Sequence, residues 1–403
     1  VNIVVIGGGV VGLSTAWRLD RDGHAVTVLD RADAPGLGTS FANAGQLSYS
    51  YVAPLADSTI WAQLPKLLTD PKSPVQFRPG IDPFQYRWLL SFLAACTSGQ
   101  ASKTIDWLGA LAEKSRDLLH GVPELKALAF ERTSTGKIVV YSSPKSFHHA
   151  RAQAEQQAAS GVDKRALGLE ETLTVEPALA SIRHRLVGGL FSPNDEAGDS
   201  HLFCNALAKL LETSANGSRF VGGVSVNGFT RKGNRLVAAQ TDKGPIEADL
   251  FILAAGVEAR LLGRMAGIDL PIYPIKGYSA TAAITDEIAS PSVSVTDAAQ
   301  KVVYARIGKS LRLAGAADLV GSGLDIDHAR LDPIIRQATI DFGQAADWSQ
   351  ARLWAGLRPA TPNGRPIIGQ RGPENLMVNV GHGALGFTLA LGSADALAKT
   401  ISG

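Results

Sequence analysis

Only two cysteines, Cys96 and Cys204, occur in 403 residues. So few thiols, so far apart, exclude a disulfide framework and a cysteine-ligated zinc site, and a reducing compartment is expected. Charge of one sign is also missing, since 39 Lys+Arg against 37 Asp+Glu leave a net charge of +2. With no basic cluster and no basic stripe interleaved with aromatics, no nucleic-acid partner is expected. No run reaches the roughly 20 apolar residues of a spanning helix. The first strand begins at once, without a charged leader, so no signal peptide is expected. Internal repeats and low-complexity tracts are absent, and no His/Cys/Asp/Glu set has ligand spacing, so no metal is expected. What remains is an ordinary globular composition, 45% hydrophobic and 19% charged, in a chain long enough for two domains.

The first thirty residues carry the strongest pattern. Ile3 to Ile6 form an apolar run that meets Gly7-Gly8-Gly9-Val10-Val11-Gly12, followed by a helix-like stretch to Arg21. A turn at Asp22-Gly23 leads to a second run, Ala25 to Leu29, which ends on Asp30. Strand, glycine turn, helix and strand closed by an acid make a dinucleotide-binding unit. Gly7 allows the tight turn, Gly9 leaves room for a pyrophosphate, and Gly12 lets helix and strand pack closely. The phosphates lie at the helix N-terminus opened by Val10 and Val11, and Asp30 is placed for ribose hydroxyls. This unit alone does not distinguish NAD from FAD.

Further along, Pro35 to Ser50 reads as a loop. Residues 53–116 are irregular chain with helices, broken by Pro54, Pro65, Pro71, Pro74, Pro79 and Pro83. Within them Phe84 to Cys96 is rich in aromatics and leucine. That segment is either a core helix or an interfacial helix with Trp88 and Tyr86 at headgroup level and Arg87 snorkelling. Lys137 to Tyr141 and Gly188 to Pro193 read as strands, and Ser146 to Ser160 as a helix ended by Gly161. His201 to Ser214 and Ile334 to Ala345 are expected helices. Strands are expected at Arg219–Gly222, Ser225–Thr230, Leu236–Thr241, Ala248–Leu253 and across Tyr273 to Leu313. At the end come a strand at Leu376–Val380, the turn Gly381-His382-Gly383-Ala384-Leu385-Gly386, and a helix from Phe387 towards Lys399. An acidic loop, Asn194 to Asp199, reads as a solvated or capped turn.

Several stretches fall in one order: Ser40-Phe41-Ala42-Asn43-Ala44-Gly45-Gln46, Pro193-Asn194-Asp195-Glu196-Ala197-Gly198-Asp199, Ala254-Ala255-Gly256, Tyr273-Pro274-Ile275-Lys276-Gly277-Tyr278-Ser279, Gly356-Leu357-Arg358-Pro359 and the final glycine turn. With the opening unit, the chain resembles the D-amino-acid oxidase family of FAD proteins. Within that family the likeness is to the bacterial D-amino-acid dehydrogenase branch, small-subunit type.

The resemblance implies an α/β fold. A Rossmann-like FAD-binding domain would be assembled from both chain ends (1–52, 196–262 and 345–403). An interleaved α+β substrate domain on an antiparallel-rich sheet would take 53–195 and 263–344, with an insertion at about 53–96 as the candidate membrane- or partner-facing segment. Non-covalent FAD is implied, because neither cysteine lies in a flavin-attachment motif. Gly7, Gly9 and Gly12 would hold the pyrophosphate, Asp30 the ribose, and Arg31 and Val224 the adenine. Ser40, Asn43, Ala44, Gly45 and Gln46 would pass the pyrophosphate and flavin, with Ala255 and Gly256 beside them. Gly381, Gly383, Ala384, Leu385 and Gly386 would turn backbone N–H groups and a positive helix end toward the reduced flavin. His382 would add to that stabilisation, line the substrate side, or hydrogen-bond its own loop.

Arg358 is the candidate carboxylate clamp, since a guanidinium fork suits a carboxylate better than a point charge. Its alternative is a structural arginine capping a strand end. Tyr278 and Tyr51 are pocket hydroxyls or packed tyrosines, and Arg306 is a weaker candidate for the same pocket. No general base, metal set or nucleophile stands out, which suits a flavin enzyme whose cofactor carries the chemistry. The implied reaction removes an ammonium proton from a small D-amino acid and transfers hydride from Cα to flavin N5. The imino acid then hydrolyses to a 2-oxo acid and ammonia, and electrons pass to a quinone or another non-oxygen acceptor. An oxygen-using oxidase of glycine, sarcosine or D-amino acids and a flavoprotein subunit of a larger complex are the alternatives. The expected location is the cytoplasm, extending to the inner face of a bacterial membrane.

Overall fold

The computed structural model describes residues 1–61, 73–158 and 163–402. Its first sheet has six strands in the order Ile367–Gln370, Leu376–Val380, Leu250–Leu253, Asn2–Ile6, Ala25–Leu29, Arg219–Val221. All neighbours run parallel except the Ile367–Gln370 edge. Both chain ends therefore meet in one sheet, as the strand–glycine–helix unit and the late glycine turn imply. Parallel strands are covered on both faces, and their side chains are accordingly mostly apolar. On one side Val10–Arg21 packs with Gly386–Ser402 and Ser200–Glu212, and Ser98–Gly121 packs on Gly386–Ser402 in turn. Leu13, Trp17, Leu108, Leu207, Leu389 and Leu397 share that core.

The second sheet has nine strands. Eight follow the order Arg352–Ala360, Tyr273–Ala283, Ser310–Leu319, Val302–Ile307, Ser294–Asp297, Lys137–Tyr141, Gly188–Ser192, Arg165–Gly168. Val75–Phe77 pairs beside Ser310–Leu319. Most pairs are antiparallel, and one face packs on the helix His328–Phe342. The other face looks toward the glycine turns of the first sheet. A three-stranded meander, Val226–Lys232, Arg235–Thr241 and Gly244–Glu247, flanks the first sheet.

Two boundaries differ from the sequence expectation. Arg352–Ala360 lies beyond residue 345 yet belongs to the second sheet, where it pairs with Tyr273–Ala283 from Tyr273↔Ala360 to Thr281↔Arg352. Ser98–Gly121 was expected in the substrate domain but packs on the C-terminal helix, because Leu108, Leu111 and Ala112 face its leucines. Helix ends shift as well: the predicted Ile334–Ala345 helix spans His328–Phe342 and starts at the Asp327 cap. Gly161, the expected end of the Pro144–Ala158 helix, lies outside the described residues, as does 62–72 of the insertion.

The Phe84–Cys96 stretch is a helix, Pro83–Ala95, capped by Asp82. Trp88 is not at its surface. The indole is buried, stacks on Phe92 at 5.3 Å and donates from Nε1 to the Ala360 carbonyl. Burial of this much aromatic area outweighs an interfacial position, so the core-helix reading holds for Phe84, Trp88 and Phe92. Tyr86 is exposed, and Arg87 pairs with Asp269 at 2.6 Å.

Candidate active site

A single cavity of about 950 Å³ runs between the two sheets, from Asp30 and Val224 at one end to Arg358 and Tyr51 at the other. Its dinucleotide end is shaped by glycines whose need differs. At Gly7, φ is +117° and a Cβ would lie 2.5 Å from the Ala254 carbonyl oxygen. At Gly12 a Cβ would overlap the Gly7 carbonyl. Gly9 has φ −79°, and a Cβ there would meet only Ser40 Oγ at 3.4 Å. Protein packing thus forces glycine at 7 and 12, while the space at Gly9 opens into the cavity, at the start of the Val10–Arg21 helix. Because Gly9 has no side chain to cap that helix, Ser40 Oγ accepts from Val10 N at 3.0 Å. This is a cradle that an anionic pyrophosphate fits.

Asp30 closes the turn from the next strand, its Oδ2 accepting from Gly8 N at 2.5 Å and its Oδ1 from Ala32 N at 2.8 Å. Val224 N donates to the Asp30 carbonyl at 2.9 Å, so the two line the same end. Arg31 is largely exposed there and pairs with Glu258 at 3.4 Å. Val11, Ala255 and Gly256 complete this wall.

In the middle, Asn43 Oδ1 accepts from Gly45 N at 2.9 Å and holds the turn in which Gly45 has φ +66°. Ser279 Oγ donates to the Ala42 carbonyl, and buried Arg312 donates to the Asn43 carbonyl while pairing with Asp199 at 3.2 Å. The loop bearing Asn43, Ala44, Gly45 and Gln46 is therefore pinned to the second sheet on one side. Across from it, Gly381 (φ +85°), Gly383, Ala384 and Leu385 lead into Gly386–Ser402. That helix start offers N–H groups and a positive dipole end to the cavity.

His382 does not add charge there. Its ring is buried and Nε2 is engaged with Ser393 Oγ at 3.0 Å. Burial drops its pKa to about 3, so the imidazole is neutral and serves its own loop.

At the far end, Arg358 reaches the cavity from Arg352–Ala360. Ile275 pairs directly with Arg358, which places Ile275, Gly277 and Ser279 on the cavity face of their strand with Trp354, Gly356 and Arg358 of the neighbour. The guanidinium lies flat over Gly277, where a Cβ would come within 2.5 Å of Cζ. Trp354 lies over Gly356 in the same way, and a Cβ there would overlap the indole. Glycines inside strands mark such close approaches. Arg358 Nη1 donates to the Ala316 carbonyl at 2.8 Å. Ala316 has φ +59° and sits in a bulge, since Lys276 pairs with Asp318 but Tyr278 with Gly315. Burial lowers the guanidinium's pKa, and Asp318 opposes the shift. No ion pair engages Arg358 among the described residues. A half-buried guanidinium bonded only to a carbonyl keeps donors that a carboxylate would fit.

Two candidates fall elsewhere. Tyr278 pairs with Ala355 and projects from the opposite sheet face. Its ring joins the core of Leu313, Leu331 and Phe342, and its hydroxyl reaches Asp318, so it borders the cavity without presenting its hydroxyl there. A one-residue step in strand parity separates it from Arg358. Arg306 is not on the cavity wall and pairs with Glu287. Tyr51 does lie at the cavity mouth, with the ammonium groups of Lys137 and Lys164 at 4.7 and 5.3 Å from its ring centre.

The acidic loop is not solvated either. Asp195 and Glu196 are buried, Asp195 Oδ1 accepting from Ser50 N and Glu196 from Tyr49, His120 and Ser134. Only Asp199 behaves as a cap, accepting from His201 N and Leu202 N. Sequence reading missed Gly277, Ala316, Arg312, Trp354 and Lys137. Gly277 was visible as a glycine within a strand pattern; the other four had no motif around them.

A family described as FAD dependent oxidoreductase (DAO) matches residues 2–400. The chain is 43% identical over 412 residues to a protein of Ralstonia nicotianae named D-amino acid dehydrogenase 2, covering 100% of this chain and 96% of that one. It is 42% identical to the Pseudomonas aeruginosa protein of the same name, covering 99% and 94%. Among solved structures, glycine oxidase from Geobacillus kaustophilus superposes with TM-score 0.76 at 19% identity, covering 99% of this chain and 94% of that chain. At that identity the likeness concerns the fold.

Proposed function

The chain belongs to the DAO family of FAD-dependent oxidoreductases, and from that premise we propose that it oxidatively deaminates D-amino acids to 2-oxo acids and ammonia. The observation that carries the reading is Arg358, half-buried on the wall of the FAD cavity with a free guanidinium edge and no carboxylate of its own among the described residues. An α-amino acid brings the missing carboxylate. The relatives named D-amino acid dehydrogenase supply the substrate's handedness.

Bound FAD supplies the two-electron acceptor for the Cα–H bond, and the substrate-derived imino acid takes up water to release ammonia. The chain's own part is placement. The Gly7–Gly12 turn and the Val10 helix start would hold the pyrophosphate, and the pinned Asn43–Gln46 loop and Gly381–Gly386 turn would hold the redox end. Arg358, fixed by the Ala316 carbonyl over Gly277, sets where the carboxylate sits and hence which Cα substituent faces the cofactor. Three contacts at Cα, the carboxylate on the clamp, the side chain against the cavity wall and the hydrogen toward the cofactor, are what enantiomer discrimination requires.

The electrons pass to a quinone or another non-oxygen acceptor, in keeping with the dehydrogenase names of the relatives. No helix among the described residues is long and apolar enough to cross a membrane. Peripheral contact with the inner face of a membrane is supported by exposed Trp61, Ile81 and Leu90 around the insertion. Pelleting with anionic lipid vesicles tests it, and equal pelleting of a variant with all three changed to Asp removes it.

The reaction is tested anaerobically by following flavin absorbance with a panel of D- and L-amino acids. Bleaching by D but not L forms is expected, and bleaching by neither overturns the reading. Arg358→Ala should keep bound FAD and lose about 2–5 kcal/mol of kcat/KM, the cost of unpairing a buried charge contact. Rapid stoichiometric peroxide from air-saturated enzyme would replace the dehydrogenase reading with an oxidase one.

A further inference from the structure

Besides Arg358, Lys137 is a buried cation on the cavity wall. It opens the strand Lys137–Tyr141, separated from the Arg358 strand by four others in the sheet order. Its side chain is buried, and its ammonium donates to Gln46 Oε1 at 2.9 Å and Ser48 Oγ at 3.0 Å. Gln46 Nε2 in turn donates to Ser294 Oγ at 2.8 Å. From the other side Thr388 Oγ1 accepts from Ser48 N at 3.0 Å and donates to the Gln46 carbonyl at 3.3 Å. The Gln46–Ser48 segment is thus stitched between the second sheet and the start of the C-terminal helix. Gln46, Ser48 and Thr388 all line the FAD cavity.

The acceptors that touch the ammonium are neutral. Burying a charge against an amide and a hydroxyl does not repay its desolvation, and an uncharged side chain of similar length would fill the same space. The charge itself therefore has a use in the loaded cavity. We propose that Lys137 is a positioning residue that fixes Gln46 and Ser48 against FAD and holds a positive charge beside the negative charge FAD acquires on reduction. The inference rests on family membership and FAD binding, and not on the identity of the substrate.

The charged groups around Lys137 are few. Buried Asp195 favours the ammonium, Lys164 opposes it, and the Tyr51 ring faces it at 4.7 Å; Gln46, Ser48 and Ser294 are neutral. Desolvation dominates and brings the ammonium to a pKa of about 8. A lysine whose pKa is lowered keeps its charge below that value and loses it above. Any electrostatic benefit to reduced FAD is therefore present near pH 6.5 and absent near pH 9.5.

The test is the midpoint potential of bound FAD, titrated with a chemical reductant in wild type, Lys137→Met and Lys137→Arg at both pH values. FAD dissociation constants are read from flavin fluorescence in parallel. At pH 6.5, Lys137→Met should favour oxidised over reduced FAD by about tenfold more than wild type, a drop of about 30 mV for a two-electron couple. At pH 9.5 the two should coincide, while Lys137→Arg, charged throughout, should exceed wild type by a similar amount. Equal potentials at pH 6.5, or the same drop at both pH values, would overturn the proposal. Should Lys137→Met not retain FAD, the comparison of wild type with Lys137→Arg decides alone: no divergence at pH 9.5 rejects it.

Discussion

The dinucleotide end of the cavity takes Gly7, Gly9, Gly12 and Asp30 from the first thirty residues, whereas the opposite end takes Lys137, Gly277, Ala316 and Arg358 from four strands of another sheet. The first region offers mainly backbone, so chain neighbours suffice and their spacing is set by one turn and one helix. In the second, side chains must converge from separate strands. Which ones face the cavity depends on strand parity and on one bulge at Ala316. The dinucleotide end therefore tolerates little backbone change, while the far end depends on single side-chain contacts.

The largest effect is expected where backbone meets backbone. Gly12→Ala puts a Cβ into the Gly7 carbonyl, which cannot move without opening the first parallel strand pair. A loss above about 4 kcal/mol, or no folded protein, is expected in urea melts. Gly9→Ala should leave the apo protein within about 1 kcal/mol of wild type, because its φ of −79° and open surroundings accept a methyl. Its damage should appear instead as weakened FAD binding by fluorescence titration. Equal effects of the two on apo stability would break the distinction between a packing glycine and a ligand glycine.

Next is the substrate end. Gly277→Ala drives a methyl against the Arg358 guanidinium, and Arg358 either leaves the Ala316 carbonyl or turns its free edge away. A fall of about 2–4 kcal/mol in kcat/KM, mostly through KM, is expected with FAD still bound. Steady-state kinetics with a flavin spectrum checks it, and unchanged KM would mean the guanidinium does not need that glycine.

These two ends also explain what could be read from residues alone. The Gly7–Asp30 unit is one supersecondary element, and its whole geometry follows from local spacing. Arg358 emerged only through resemblance, and its face, its bonding to Ala316 and its seat on Gly277 depend on pairing between strands some eighty residues apart in sequence order. Lys137 had no motif around it, only a glycine before a strand. The domain limit at 345 failed for the same reason, because sheet membership of Arg352–Ala360 is decided by its partner and not by its own composition. Asp195 and Glu196 looked like a solvated loop because nothing local shows that Tyr49, Ser50, His120 and Ser134 meet them from elsewhere in the chain.

A smaller, pH-dependent effect separates His382 from both ends. Its folded pKa of about 3 lies below the ordinary 6.5. The unfolded chain therefore binds a proton that the folded one rejects as pH falls from 6.5 toward 3. Its contribution is full above pH 6.5 and lost on acidification, at about 1.4 kcal/mol per pH unit. His382→Gln should shrink the stability difference between pH 7 and pH 5 by about 2 kcal/mol in urea melts. An unchanged difference would mean that the ring is hydrated and protonated in the fold.

The smallest effect is expected at Tyr278, and it bears on the comparison most directly. A pocket hydroxyl would touch substrate, and its removal would raise KM or slow turnover. On the observed parity its ring lies with Leu313, Leu331 and Phe342 on the far side of the sheet from Arg358. Burial and the Asp318 carboxylate both push its phenol well above the usual range, so it stays neutral at working pH. Tyr278→Phe removes one hydroxyl from Asp318, which retains its bidentate Arg330 contacts at 2.6 and 3.0 Å. A stability loss of about 1 kcal/mol is expected from the lost bond, with kcat/KM within about twofold of wild type. A tenfold fall in kcat/KM at unchanged stability would place the hydroxyl on the substrate side and reverse the parity argument for the whole strand, Gly277 included.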